Sequence, residues 1–109
     1  MAKSIIQPNK ERCYLCGRRA GYGLESLDKH HVFGGCKAIR DKSEHYGLTV
    51  YLHHMSCHEF GEKAVHVNAE VNRALQSKVQ KIAMKHYGWT VEEWRKLFYK
   101  NYLLEEDEE

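Results

Sequence analysis

The chain has 109 residues, 42% of them apolar, with eight histidines, four cysteines and a formal charge of +2. That length holds one domain with a small core. No stretch approaches the roughly 18 apolar residues of a membrane span, and residues 1–20 hold no apolar run longer than Ile5 and Ile6, so neither an anchor nor a signal peptide is expected.

The charge is uneven along the chain. Residues 1–12 read as a flexible basic lead-in. Residues 105–109, EEDEE, form an acidic tail, and setting it aside lifts the formal charge of the remainder to +7. A basic body points to a polyanion partner. Between these ends, residues 13–104 read as a single domain.

Within it, "CYLCGRRAGYG" predicts a tight knuckle around a CxxC. A strand is expected from about Ser26 to Phe33. "GGCKAIRDKSEHYG" reads as a basic loop, and the β-branched, aromatic "LTVYL" as a second strand. Residues 53–60 fit a short helix followed by Gly61. Asn68 caps a longer helix with Val71, Leu75, Val79, Ile82 and His86 spaced by three and four; Gly88 ends it. Thr90 and Glu93 form a capping box for a last helix, with Trp94, Leu97, Phe98 and Leu103 on its apolar side. The fold class is therefore α+β: a ββα unit with two C-terminal packing helices.

A reducing cytosolic compartment is the default without a secretion signal, and there a CxxC more often binds metal than forms a disulfide. Cys13 and Cys16 have the spacing of two tetrahedral zinc ligands, with Gly17 permitting the turn. Cys57 is the natural third ligand. His53 lies four residues before it, on the same face of the expected helix; His54 is the fallback fourth. Such a zinc ion staples the fold, and its binding energy is folding energy. A rival is a CCHC finger of Cys13, Cys16, His31 and Cys36. It fits less well, because its last two ligands belong on a helix and Gly34 and Gly35 fall between them.

The remaining histidines suggest a second site. His30 and His31 end one strand, while His54 and His58 are four apart on the expected helix and His66 follows. A clamp of this kind holds one divalent ion with a free imidazole beside it. Neighbours on a regular strand point to opposite faces, so His30 and His31 share a site only where the strand ends or bulges. The ion neutralises a scissile phosphate while a neutral imidazole, with its ordinary pKa near neutrality, takes a proton from water. Arg18, Arg19, Lys37, Arg40 and Lys42 are candidate phosphate contacts. His45 and His86 are read as ordinary core or surface residues.

The CxxC, "HHVFGG", "GLTVYLHHMSCHEF" and "AVH" together resemble the His-Me finger (HNH) nuclease superfamily. Within it, the match is to small phage-type proteins grouped with the recombination-enhancement, RecA-dependent nucleases. The closing "HYGWTVEEWRKLFYKNYL" is similar to the C-terminal helices of those proteins, so the likeness spans roughly residues 13–103. It implies a DNA endonuclease or nickase that leaves 5′-phosphate and 3′-hydroxyl ends. His30 becomes a metal ligand, His31 the general base and His58 a second ligand, with His66 or His54 completing the site. The implied cofactors are structural zinc and catalytic magnesium or manganese. The implied partners are DNA and a RecA-type recombinase, in the cytoplasm of a phage-infected or prophage-bearing bacterium. The chain departs from the family at the second CxxC, whose first cysteine is a histidine here, and at the asparagine often found before the helix, near Thr49. The competing expectation is a non-catalytic, zinc-stabilised nucleic-acid-binding module.

Overall fold

The computed structural model describes residues 4–7, 12–15, 17, 27–53, 65–66 and 68–103. They form a small α+β unit of two antiparallel strands and three helices. Strand β1 (Leu27–His31) pairs with β2 (Thr49–His53), with His31 opposite Thr49, His30 opposite Val50 and Leu27 opposite His53. Branched and aromatic side chains suit β2 to a pleated surface, and all but Tyr51 are buried.

β1 stops two residues before the expected end. Val32 keeps one backbone bond to Leu48 O, at 3.1 Å. Val32 and Phe33 then drop into the core, and the chain turns through Gly35 at φ 95°.

The connection between the strands is a correction to the expected basic loop. It is helix α1 (Lys37–His45). Lys37, Ala38, Arg40, Lys42 and Glu44 are good helix formers, and Lys37 pairs with Asp41 one turn on at 2.7 Å. Its buried residues are only Ile39 and Ser43. The Ser43 hydroxyl donates to Leu48 O at 2.6 Å and accepts from Phe33 N at 3.4 Å. A serine thus ties α1 to both strand ends, which is why no apolar stripe marks the helix.

His53 is also a correction. It is the buried last residue of β2, not the first residue of a helix; residues 54–60 lie outside the described residues.

The C-terminal helices begin where their caps indicate. In α2 (Ala69–Tyr87), Asn68 Oδ1 accepts from Val71 N at 3.1 Å, and Gly88 closes the other end in the left-handed region. Leu75, Val79 and Ala83 make its core face, while His86 is exposed. Helix α3 (Val91–Phe98) carries the capping box of Thr90 and Glu93. Trp94 and Phe98 stack at 4.2 Å, and Phe33 meets Trp94 edge-on at 4.9 Å. Leu103 lies beyond α3, in a segment held by buried Gln80, which donates to Asn101 Oδ1 at 2.9 Å and accepts from Tyr102 N at 2.7 Å.

After α3 comes Tyr99 at φ 65°, the one non-glycine residue with positive φ among those described. A bulky side chain there costs about 1–2 kcal/mol.

The stretch expected as a lead-in contributes to the fold at residues 4–7. Ile5 N donates to Gly47 O at 2.9 Å, the Ser4 hydroxyl donates to Thr49 O, and Gln7 Oε1 accepts from Tyr51 N at 2.8 Å. The open edge of β2 is covered by these contacts. Among the described residues, no helix is long and apolar enough to cross a membrane.

Candidate active-site cleft

Where β1 ends, the surface opens into a cleft of about 260 Å³. Lys29, His30 and His31 line it from the strand, Gly34 and Gly35 from the turn, Arg40 from α1 and His66 from the turn before α2. Lys29, His30 and His31, consecutive on the strand, all line this cleft, and the strand stops at the third of them. Burial of Val32 and Phe33 just beyond pulls the chain away and leaves the pair at the rim.

The two histidines of the pair sit differently. His30 is 7% exposed, and its ring meets that of His66 edge-to-face with centroids 5.4 Å apart. His31 is about a quarter exposed, and its Nε2 lies 3.0 Å from Glu44 Oε1. A carboxylate only accepts, so Nε2 carries a proton in this contact, and in the neutral ring Nδ1 is then the acceptor.

Glu44 also holds Lys29, whose Nζ lies 2.8 Å from both carboxylate oxygens. The Lys29 hydrogen bond is the main reason the Glu44 carboxyl titrates below its ordinary value, with the His31 bond adding to it and burial opposing it. Glu44 was not among the expected site residues. Its position, one turn beyond Arg40 on α1, follows only once residues 37–45 are known to be helical.

The candidate phosphate contacts divide. Arg40 lines the cleft. Lys37 is paired with Asp41. The Lys42 ammonium donates to Leu97 O at 2.6 Å, at the C-terminal end of α3, and sits 4.6 Å from the Tyr99 ring centroid. Helix C-terminal carbonyls attract cations, so this charge serves the packing of α1 on α3. Arg18 and Arg19 lie outside the described residues.

Of the four expected zinc ligands, Cys13 and His53 are described and both are buried. Gly17, at φ 76°, returns its N–H to Cys13 O at 2.9 Å, closing the turn expected around the CxxC. Tyr14 N donates to Tyr51 O at 2.8 Å and so pins this knuckle to β2 two residues before His53. Cys16 and Cys57 lie outside the described residues, as do His54 and His58.

Cys36 is the exposed N-cap of α1, and His31 is on a strand. The helix that a CCHC finger needs to carry both is therefore not there. Thr49, opposite His31, has a buried hydroxyl without a hydrogen-bond partner among the described residues. Among those residues, no three His, Cys, Asp or Glu side chains gather closely enough to hold a metal ion. Comparison with protein-family profiles, curated proteins and solved structures gives no match.

Proposed function

We propose that the chain is a metal-dependent DNA endonuclease or nickase of the His-Me finger (HNH) type, acting by phosphodiester hydrolysis. The convergence of His30, His31, His66 and Arg40 on one cleft carries this proposal. His31 is the general base. With Nε2 donating to Glu44, its Nδ1 accepts the proton of an attacking water. Glu44 acts through His31, keeping the tautomer that leaves Nδ1 open. Arg40 meets the phosphate of the strand to be cut.

His30 and His66 hold a divalent ion, magnesium or manganese, with His58 as a further ligand and His54 as the competitor of His66. Two imidazoles 5.4 Å apart, one of them buried, are close enough to share a cation. Bound there, the ion neutralises the charge building on the phosphate and the leaving oxygen. Imidazole donors favour a transition ion over magnesium. Cys13, Cys16, His53 and Cys57 hold a second, structural zinc. The burial of Cys13 and His53 and the pinning of the knuckle to β2 support it, and thiolate and imidazole are the donors that tetrahedral zinc takes. The products carry 5′-phosphate and 3′-hydroxyl ends. The setting is phage DNA recombination or processing in the bacterial cytoplasm, with a RecA-type recombinase as partner.

The deciding experiment is plasmid nicking with magnesium, manganese or EDTA. Wild type nicks supercoiled plasmid with one of the two metals and not in EDTA. His31→Ala slows nicking by roughly 10²–10⁴-fold and leaves the protein folded. A folded, zinc-loaded wild type that cuts with neither metal sinks the proposal.

A further inference from the structure

Tyr99 combines two properties that stability alone does not explain. Its backbone is left-handed at the end of α3, a position where glycine or asparagine is the usual residue. Its side chain is also the most exposed of the large apolar side chains described, at 68%. Its neighbours Trp94, Phe98 and Tyr102 pack in or against the core; Tyr99 does not. Glycine would close the helix at least as well, since the cap needs only the Tyr99 N–H, which donates to Arg95 O. The ring therefore adds surface rather than core.

That surface has a definite chemistry. Lys42 braces the ring from one side, with Nζ 4.6 Å from its centroid and 3.3 Å from its hydroxyl. Lys42 is itself anchored on Leu97 O, so the ring is held and still turns most of its area to solvent. Arg95, Lys96 and Lys100 are exposed within four residues, and no acid falls between residues 95 and 104. A flat, fixed apolar face among cations suits a polyanion that carries flat apolar groups. An acidic peptide carries such a group only where an aromatic residue falls, not at every charged unit, and in a duplex the bases are already stacked. A single strand of nucleic acid offers them free.

We propose that Tyr99 is a stacking platform for an unpaired base of single-stranded nucleic acid, with Arg95, Lys96 and Lys100 meeting the flanking phosphates. The platform is at the C-terminal end of α3, whereas the cleft is formed by β1, α1 and the turn before α2. It shares the polyanion partner of the nuclease proposal but none of its chemistry, and it is tested with cutting switched off.

The test is fluorescence anisotropy at one fixed salt concentration, with no magnesium or manganese added and no chelator that would strip a structural zinc. The probes are a labelled single strand of about a dozen thymidines and a labelled hairpin duplex of similar length. Tyr99→Gly weakens single-strand binding about tenfold and leaves duplex binding unchanged. Tyr99→Phe and Tyr99→Trp retain wild-type single-strand affinity. The melting temperature of Tyr99→Gly stays level or rises, because glycine relieves the left-handed backbone; this separates a lost contact from a lost fold. Equal single-strand affinity in wild type and Tyr99→Gly overturns the proposal. So does an equal loss on the duplex. Ring-dependent self-association with unchanged oligonucleotide affinity overturns it in favour of a contact between copies. Failure of wild type to nick plasmid leaves this outcome standing, so the two proposals fall separately.

Discussion

The aromatic side of the molecule and the cleft side are held by different forces. On the aromatic side, Phe33, Trp94 and Phe98 are fully buried, and their ring centroids lie 4.2–5.3 Å apart. Burial of this kind is strong, and its hydrophobic part does not depend on direction. On the cleft side, Lys29, Glu44 and His31 make a three-membered polar contact with each side chain about a quarter exposed. This contact is weak in energy and strict in geometry. The two sides meet in five residues of chain, from Lys29 to Phe33. Packing fixes where the histidine pair stands, and the ionic contact fixes which nitrogen His31 presents. Position and orientation are thus separable, and mutations can test them one at a time.

Phe33→Ala attacks position and has the largest expected effect. It removes the ring that Trp94, Phe98 and Tyr102 surround and should cost about 3–5 kcal/mol, read as a lower urea midpoint. Against a total stability of roughly 5–15 kcal/mol, that is enough to disorder the cleft with the core. A loss below about 1 kcal/mol would mean that the core does not anchor the strand end.

Cys13→Ser comes next, because it asks whether the knuckle is stapled as well as packed. A zinc ligand contributes folding energy. The variant should bind less zinc, measured by atomic absorption, and lose about 2 kcal/mol or more of stability. Unchanged zinc content with an unchanged melting curve counts against the staple.

The same division explains what could be read from the chain before its structure. Caps are local devices, so Asn68, Gly88, Thr90 and Glu93 announced both C-terminal helices. The first strand was legible, but its end was placed at Phe33 rather than His31, because Val32 and Phe33 continue the β-forming pattern while their burial takes them out of the strand. α1 was not legible, because its hold on the fold runs through the Ser43 hydroxyl to Leu48 and Phe33. Without α1, Glu44 could not be placed near His31, thirteen residues away in sequence. Lys42 misled in the same way: its charge goes to a carbonyl 55 residues further along. His53 was read as helical because four-residue spacing to Cys57 is a helical pattern, yet β2 continues through it. Charge partners across the chain leave no periodic trace, whereas caps do.

Glu44→Gln attacks orientation and leaves position alone. It should cost roughly 0.5–1 kcal/mol of stability, far less than Phe33→Ala. Its effect on nicking should be larger than that. An amide can donate to Nε2 as well as accept from it, so His31 is free to hold its proton on Nδ1, where it cannot act as base. A tautomer error of this kind lowers the catalytic rate, here by tenfold or more, while leaving KM close to wild type. Nitrogen-15 NMR of the imidazole reports the tautomer directly, independent of cutting. A wild-type tautomer in Glu44→Gln would show that something other than Glu44 orients the ring.

The smallest effect is the pH dependence of the same contact. The Glu44 carboxyl is held below its ordinary value of 4.5, first by the Lys29 hydrogen bond and then by His31. The folded protein therefore binds this proton less tightly than the unfolded chain does. Above the ordinary value the carboxylate is charged in both states, and its contacts add their full stability. As the pH falls, the unfolded chain takes up the proton first, and the advantage drains away until the folded state is protonated too. Other acids titrate in the same range, so the informative quantity is the stability of wild type minus that of Glu44→Gln at each pH. That difference should be about 0.5–1 kcal/mol near neutrality, and shrink steadily from about pH 5 downward. A difference that holds constant or grows below about pH 5 would mean that Glu44 is not the negative pole between Lys29 and His31. The orientation of His31 would then have to come from packing, and the two sides of the molecule would be one.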